Sequence, residues 1–481
     1  MSDRSRNLPP IHPEITPEPG PRGLTRRSFL GSVCTAVGMT SLASTVFDLR
    51  RIAAAAELAG DYKALVCVFL YGGNDSNNVL VPRGTDYAAY AAARGPLALS
   101  QASLLQVAPL SGAGGRQWGL HPSLPGLRNL FTQQRLALVA NVGPLVAPVT
   151  RAEYLAGTAA LPPQLFSHSD QTVHWQTSLP DQPVRTGWGG RVADLLHSLN
   201  GASQVSMSMS MAGNNTFQVG NAITQYQLSP DGAIGLGWYS DGTQWNDPPS
   251  TAIRQLMARS YGNLFQAGYK NVFQRALDQD RLLSGALDAV PPTNPPFSGF
   301  PDTDLGRQLR MVARLIAVRE TLGLRRQVFF CAAGGYDTHD GQIGAQAEVG
   351  AHADLLTELD GALSSFHAAT VQLGVNSDVT SFTASDFGRT YASNGGGTDH
   401  GWGSHHFVLG GAVSGGRFYG DVPTLAVDGP DDSSDGRWIP TTSVDEYSAT
   451  LARWFGVSAS DIPLVLPNIG RFSTPDLGFL G

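Results

Sequence analysis

An α/β protein with a mostly parallel central sheet, covered by helices on both faces, is the fold class this 481-residue chain predicts. Three observations predict it. Continuous apolar runs of strand length stand at 64–70, 136–143, 328–332 and 379–383, and such runs suit parallel strands buried on both sides. Amphipathic helical patterns alternate with them, as in layered α/β folds. Acidic residues follow three of the runs, where parallel strands bring their carboxyl ends to one rim.

Residues 1–24 are rich in proline, charge and small polar groups, which predicts a disordered leader. Arg26 and Arg27 then precede Ser28, Phe29 and Leu30 and a moderately apolar run to Phe47. A basic region before a short apolar core is the layout of an export signal, and paired arginines fit its twin-arginine form. The core carries Gly31, Ser32, Thr35, Gly38, Thr40 and Ser41. That is too polar for a stable membrane span, which needs about 20 mainly apolar residues. Ala53 to Ala56 offer a cleavage site, with Arg50 and Arg51 just before it. The expected organisation is leader and signal over 1–56, then one α/β domain over 57–481 with a loop-rich insertion around 201–250. The expected location is periplasmic or extracellular, with the twin-arginine translocon as partner during export.

The formal net charge is −7 and only 15% of residues are charged, so no basic face points to nucleic acid. Cys34 lies in the signal; Cys67 and Cys331 lie in apolar runs and read as free core thiols, with a disulfide between them left open.

The first run ends in Gly72-Gly73-Asn74-Asp75, and a second strand occupies 136–143. A helix begins near Ser167-His168-Ser169-Asp170, where Ser and Asp are good caps. Residues 204–220 alternate and 221–250 read as a polar surface excursion. Leu305, Leu309, Val312, Ile316 and Leu322 mark an amphipathic helix. The strand at 328–332 leads into Gly334-Gly335-Tyr336-Asp337. A helix over 352–367 places Leu355, Leu356, Leu359, Leu363 and Phe366 on one face, with His352 and His367 at its ends as solvated or capping residues. The strand at 379–383 leads to Asp386, and 407–409 is a fifth strand.

Asp75, Asp337 and Asp386 thus follow three separate strands and are expected on one rim. His339, Asp399, His400 and His405 lie on glycine-rich turns beside them. Imidazole and carboxylate are the ligands of divalent metals such as zinc and manganese. A serine opening a helix beside such a site could act as nucleophile on an anionic ester. Ser167 fits, with Ser169 as the alternative. Arg389 could grip an anionic oxygen, or serve as a structural ion pair. His121 reads as a cap or core residue.

Phe69 to Asp75, Gly335 to Asp340, Ser385 to Thr390, Gly397 to Gly403 and Ala449 to Val457, together with the leader, resemble one family in that order. It is a bacterial family of exported proteins of unknown function, often called sulfatase-like, and it resembles the alkaline phosphatase superfamily. The resemblance covers nearly the whole mature chain. It implies a three-layer α/β/α sandwich, a hydroxyl or modified-cysteine nucleophile, and one or two divalent ions, here zinc, manganese or calcium. Asp75, Asp337, His339 and Asp386 stand where such ligands would be, and Ser167 where the nucleophile would open its helix. Phe387 replaces a histidine, which weakens one ion site or makes it oxygen-rich and calcium-like. Asp399, His400 or His405 could supply the missing donor. No Cys-x-Pro-x-Arg signature is present, which argues against a formylglycine sulfatase. No Gly-x-Ser-x-Gly elbow supports a metal-free esterase. The expected function is an exported metal-dependent hydrolase of phosphate or sulfate esters, acting on an anionic small molecule or glycan. The alternative is a non-catalytic exported binding or assembly protein that keeps the fold.

Overall fold

The structure, a computed structural model, describes residues 61–233, 235, 239 and 248–481. The leader and export signal expected over 1–56 lie outside the described residues.

Strands in chain order are β1 (Lys63–Leu70), β2 (Leu80–Arg83), β3 (Leu105–Val107), β4 (Gln117–Leu120), β5 (Leu136–Gly143), β6 (Ser208–Ser210) and β7 (Tyr226–Ser229). There follow β8 (Gly232–Ala233), β9 (Arg326–Ala333), β10 (Val379–Ser385), β11 (Ser404–Gly410), β12 (Phe418–Tyr419) and β13 (Thr442–Ser443). The central sheet runs β12-β5-β11-β10-β1-β9-β6-β7-β8, with β13 beside β5; β2, β4 and β3 form a small separate sheet. The β1, β6, β9 and β10 strands are mutually parallel, while β11 runs against both its neighbours. Within the stretch read as an insertion, β6 to β8 extend this sheet.

Alternation along β1 builds two cores. Ala64, Val66, Val68 and Leu70 face a layer that includes the helices Asp304–Ala317 and Ala351–Gln372. Leu65, Cys67 and Phe69 face the helices Trp188–Leu196 and Val444–Phe455. The result is the three-layer α/β/α sandwich that the sequence predicts. The helix Asp304–Ala317 starts where the Thr303 hydroxyl accepts from the Gly306 amide. Leu305, Leu309, Val312 and Ile316 are wholly buried along its stripe, so Leu309→Ala would cost about 2–5 kcal/mol. It ends five residues before Leu322, which turns carry into the same core.

Register also settles the thiols. Cys331 lies opposite Val68, and the two cysteines face opposite cores. Both are free, and no disulfide can join side chains on opposite faces of a sheet.

His352 and His367 are buried, not solvated. The His352 Nε2 sits 3.1 Å from the Asn74 side-chain oxygen, beneath the turn after β1. His121 is a core residue whose Nδ1 accepts from the Ser123 amide.

Candidate metal centre

The adjacent parallel strands β10, β1 and β9 end on one rim, at Ser385, Leu70 and Ala333. The turn after β1 packs against the other two. A Cβ on Gly72 would lie 2.3 Å from the Asp337 amide nitrogen, and one on Gly73 would lie 2.6 Å from the Phe387 ring. Both residues also have positive φ, +114° and +83°. Only glycine fits both the space and the backbone there. The Gly72 amide donates to Asp386 at 3.1 Å, and the Ser385 hydroxyl donates to the Leu70 carbonyl at 2.7 Å.

This closure brings Asp337, Asp386, His339 and His400 together with His168, the first residue of the helix His168–Thr177. Asp337 Oδ1 lies 3.4 Å from His168 Nε2, 3.1 Å from His339 Nε2 and 3.5 Å from His400 Nε2. His339 Nε2 and His400 Nε2 are 2.8 Å apart. Donor atoms of His168, Asp337 and His400 are close enough together to hold a metal ion.

The other nitrogen of each ring is anchored. His168 Nδ1 donates to Asp386 at 2.6 Å, His339 Nδ1 to Asp399 at 3.1 Å, and His400 Nδ1 to the Phe166 carbonyl at 2.7 Å. Carboxylates and carbonyls only accept, so a neutral ring here carries its proton on Nδ1 and presents a lone pair at Nε2, while the Asp337 carboxylate facing each Nε2 at 3.1–3.5 Å equally suits a protonated ring. Metal-binding histidines show this arrangement, an outer acceptor fixing tautomer and orientation. The buried His168 Nε2 has no hydrogen-bond partner. Phe387 packs against the rings of His168 and His400, each at 4.7 Å between centroids. The residue that departs from the phosphatase pattern is therefore the platform under two imidazoles.

Charges agree with this geometry. The hydrogen bond to Asp386 moves the His168 pKa up, against the pull of burial. Burial moves His400 down, and the neighbouring His168, Arg389 and His339 add to the shift. Burial acts to raise Asp337, but Arg389 and the histidines outweigh it and hold the carboxyl below its usual range.

Other expected residues take different places. Asp386 and Asp399 contact imidazole Nδ1 atoms from outside. Asp75 is wholly buried in an ion pair with Arg94, and also accepts from Gln342. His405 faces β5, where its Nδ1 accepts from the Asn141 amide and burial lowers its pKa to about 4. Arg389 is buried and pairs with Asp337. Its remaining donors serve the carbonyls of Gly72, Gly73, Tyr336 and Thr398. That bonding holds three loops together and commits the guanidinium to the protein.

A cavity of about 470 Å³ opens over the cluster, lined by Tyr71, Gly72, His168, Ser169, Thr172, Asp337 and Asp386. Ser169 is exposed in its wall. Ser167 precedes the helix, 3.1 Å from the Ser169 hydroxyl, and both donate to Asp170 at 2.5 and 3.3 Å. The sequence reading took His168 only as part of a helix start. The available signal was a helix that buries Gln171, His174, Gln176 and Thr177 with hardly any apolar stripe.

A family profile described as "Protein of unknown function (DUF1501)" matches residues 62–435. No curated protein matches the chain in sequence. Among solved structures, it is similar to Ps i-CgsB in complex with k-i-k-neocarrahexaose, at 9% identity and a TM-score of 0.33, covering 86% of this chain and 77% of that one. It is also similar to the PsFucS1 sulfatase from Pseudoalteromonas sp., at 9% identity and a TM-score of 0.32, covering 87% and 73%.

Proposed function

Since the chain belongs to the DUF1501 family of proteins of unknown function, we propose, from its own site, an exported metal-dependent hydrolase of sulfate or phosphate esters. One observation carries the reading: three imidazole Nε2 atoms converge on Asp337 Oδ1 beneath an open cavity, each ring fixed from behind. The orphaned, buried His168 Nε2 and the nitrogen-rich donor set fit a divalent ion. Held by His168, His400 and Asp337, such an ion would offset charge on a sulfuryl or phosphoryl oxygen.

The chain's own groups supply the rest. The N-terminus of the helix His168–Thr177 faces the cavity through His168 and Ser169, and helix N-termini favour anionic groups. Ser169 is the hydroxyl best placed to attack, because it stands in the cavity wall; Ser167 shares its carboxylate and is the second choice. Asp170 accepts the proton from this pair. Arg389 positions Asp337 and leaves the ester to other groups. The open cavity admits a small anionic ester or the end of a glycan chain. Export by the twin-arginine route to the periplasm or beyond belongs to the same proposal and rests on Arg26 and Arg27.

The test is a panel of aryl sulfates and aryl phosphates, with chelated and metal-reloaded protein. Turnover is expected only after reloading, lost in His400→Ala and strongly reduced in Ser169→Ala. Metal binding without turnover of any ester would remove the hydrolase and leave an exported binding or assembly protein.

A further inference from the structure

The donor atoms and their surroundings specify which ion this site takes. We infer that His168, His400 and Asp337, with His339 beside them, form a site for one late transition ion of the zinc class, and that no second ion is held at Asp75. The inference rests on the metal reading above and deepens it by naming the class and number of ions.

The first ground is donor type. Calcium and magnesium take six or more oxygen donors, whereas imidazole suits zinc, cobalt, nickel and copper. Here two of the three donors are imidazole nitrogens, and a third imidazole, His339, stands beside them. The second ground is spacing. Bonds of about 2.0–2.1 Å in a tetrahedron put ligand atoms about 3.3 Å apart. Asp337 Oδ1 lies 3.4 Å from His168 Nε2 and 3.5 Å from His400 Nε2, close to that spacing. Oxygen cages around calcium use longer bonds, about 2.3–2.6 Å.

The third ground is the facing pair of lone pairs. With both Nδ1 protons committed to Asp399 and Phe166, His339 and His400 direct Nε2 lone pairs at each other across 2.8 Å. Between neutral rings that contact is repulsive, and either a proton on one Nε2 or a metal ion beside the pair relieves it; Arg389 Nη1 also lies 3.5 Å from His339 Nε2. The fourth ground is charge. Arg389 already pairs with Asp337, the one carboxylate among the donors. An ion bound mainly by charge gains little there, while an ion bound by nitrogen donors keeps its advantage.

Arg94 and Gln342 both bond Asp75 Oδ2, which leaves Asp75 Oδ1 buried without a hydrogen-bond partner; the guanidinium charge beside it is what opposes a second cation there. That guanidinium is wholly buried, and it also donates to Asn78 and to the carbonyls of Thr390 and Tyr391. Its position makes the positive partner of Asp75 part of the fold.

The experiment loads chelated protein with zinc, cobalt, manganese or calcium, each alone, and reads bound metal by mass spectrometry. Cobalt protein is also read by visible absorption, which is intense for a tetrahedral nitrogen-rich site. One equivalent of zinc or cobalt is expected, undisturbed by excess calcium. His168→Gln is expected to weaken zinc binding by more than the 10–100-fold typical of losing an outer partner. Asp75→Asn is expected to keep the one-to-one ratio. The thermal melt of each apo variant guards against misfolding, and Asp386→Asn, which keeps the ligands, supplies a second affinity series. Calcium binding in preference to zinc, or a His168→Gln protein with unchanged zinc affinity, overturns the inference. Two zinc equivalents, one lost in Asp75→Asn, overturns the single-ion part. Ester turnover supported by calcium would sink this inference and spare the hydrolase; zinc bound as stated with no turnover would do the reverse.

Discussion

Asp386→Asn removes one charge and almost no volume. The Asp386 carboxylate is nearly fully buried and receives the His168 Nδ1 proton at 2.6 Å, which orients the ring and raises its basicity. Outer carboxylates of this kind contribute about 10–100-fold to metal affinity, or about 1.4–2.7 kcal/mol. The same change at Asp399 provides an internal scale. Asp399 also receives an imidazole Nδ1 proton, but at 3.1 Å and with 48% of its side chain exposed. Solvent screening limits an exposed pair to about 1 kcal/mol, at most about fivefold. Competition against a chromophoric chelator at neutral pH reads both affinities, and urea midpoints of the apo proteins check folding. Asp386→Asn should weaken zinc by at least about tenfold and exceed Asp399→Asn. Equal effects, or a larger effect at Asp399, would refute the assignment of Asp386 as the principal outer carboxylate.

Arg389→Ala should destabilise the whole fold by about 3–5 kcal/mol, since it strands a carboxylate and several buried carbonyls; a selective loss of turnover with an unchanged urea midpoint would contradict this. Asp445, buried at the start of the helix Val444–Phe455, has its carboxyl pushed up to about 7 by burial, against the pull of Ser178 and Arg191. Its folded value exceeds the unfolded one, about 3.9, so the folded state keeps the proton longer and this group's contribution falls as pH rises from about 4 to about 7. Asp445→Asn should therefore gain on the parent by about 3 kcal/mol between about pH 5 and about pH 8 in urea titrations, and no relative gain would count against it. Cys67 and Cys331 should both react with a thiol reagent after denaturation without reductant, and a recovered Cys67–Cys331 disulfide would contradict the opposed faces of β1 and β9.

The sheet was legible because its central strands are buried on both faces, which leaves continuous apolar runs. The observed β5 matches the expected 136–143, and β1, β9 and β10 extend their expected runs by one to three residues. The convergence of Asp337 and Asp386 was legible for the same reason, since parallel strands share a rim. What escaped was contact across distant segments. Arg94, on a separate helix, neutralises Asp75, and nothing in the local sequence around Asp75 records that partner. His168 enters from a polar helix that packs over the rim, so its role appears only with His400 beside it. Phe387 looked like a lost ligand, because sequence shows a missing imidazole and conceals the two rings packed against the phenyl. His352 and His367 looked solvated at helix ends, but burial there is set by the neighbouring turn and strands.

Diffraction from zinc-grown crystals, recorded on both sides of the zinc absorption edge, tests the centre most directly. One anomalous peak is predicted, bonded to His168, His400 and Asp337. A peak beside Asp75, or none among the three imidazoles, would contradict the site on which the proposed activity depends.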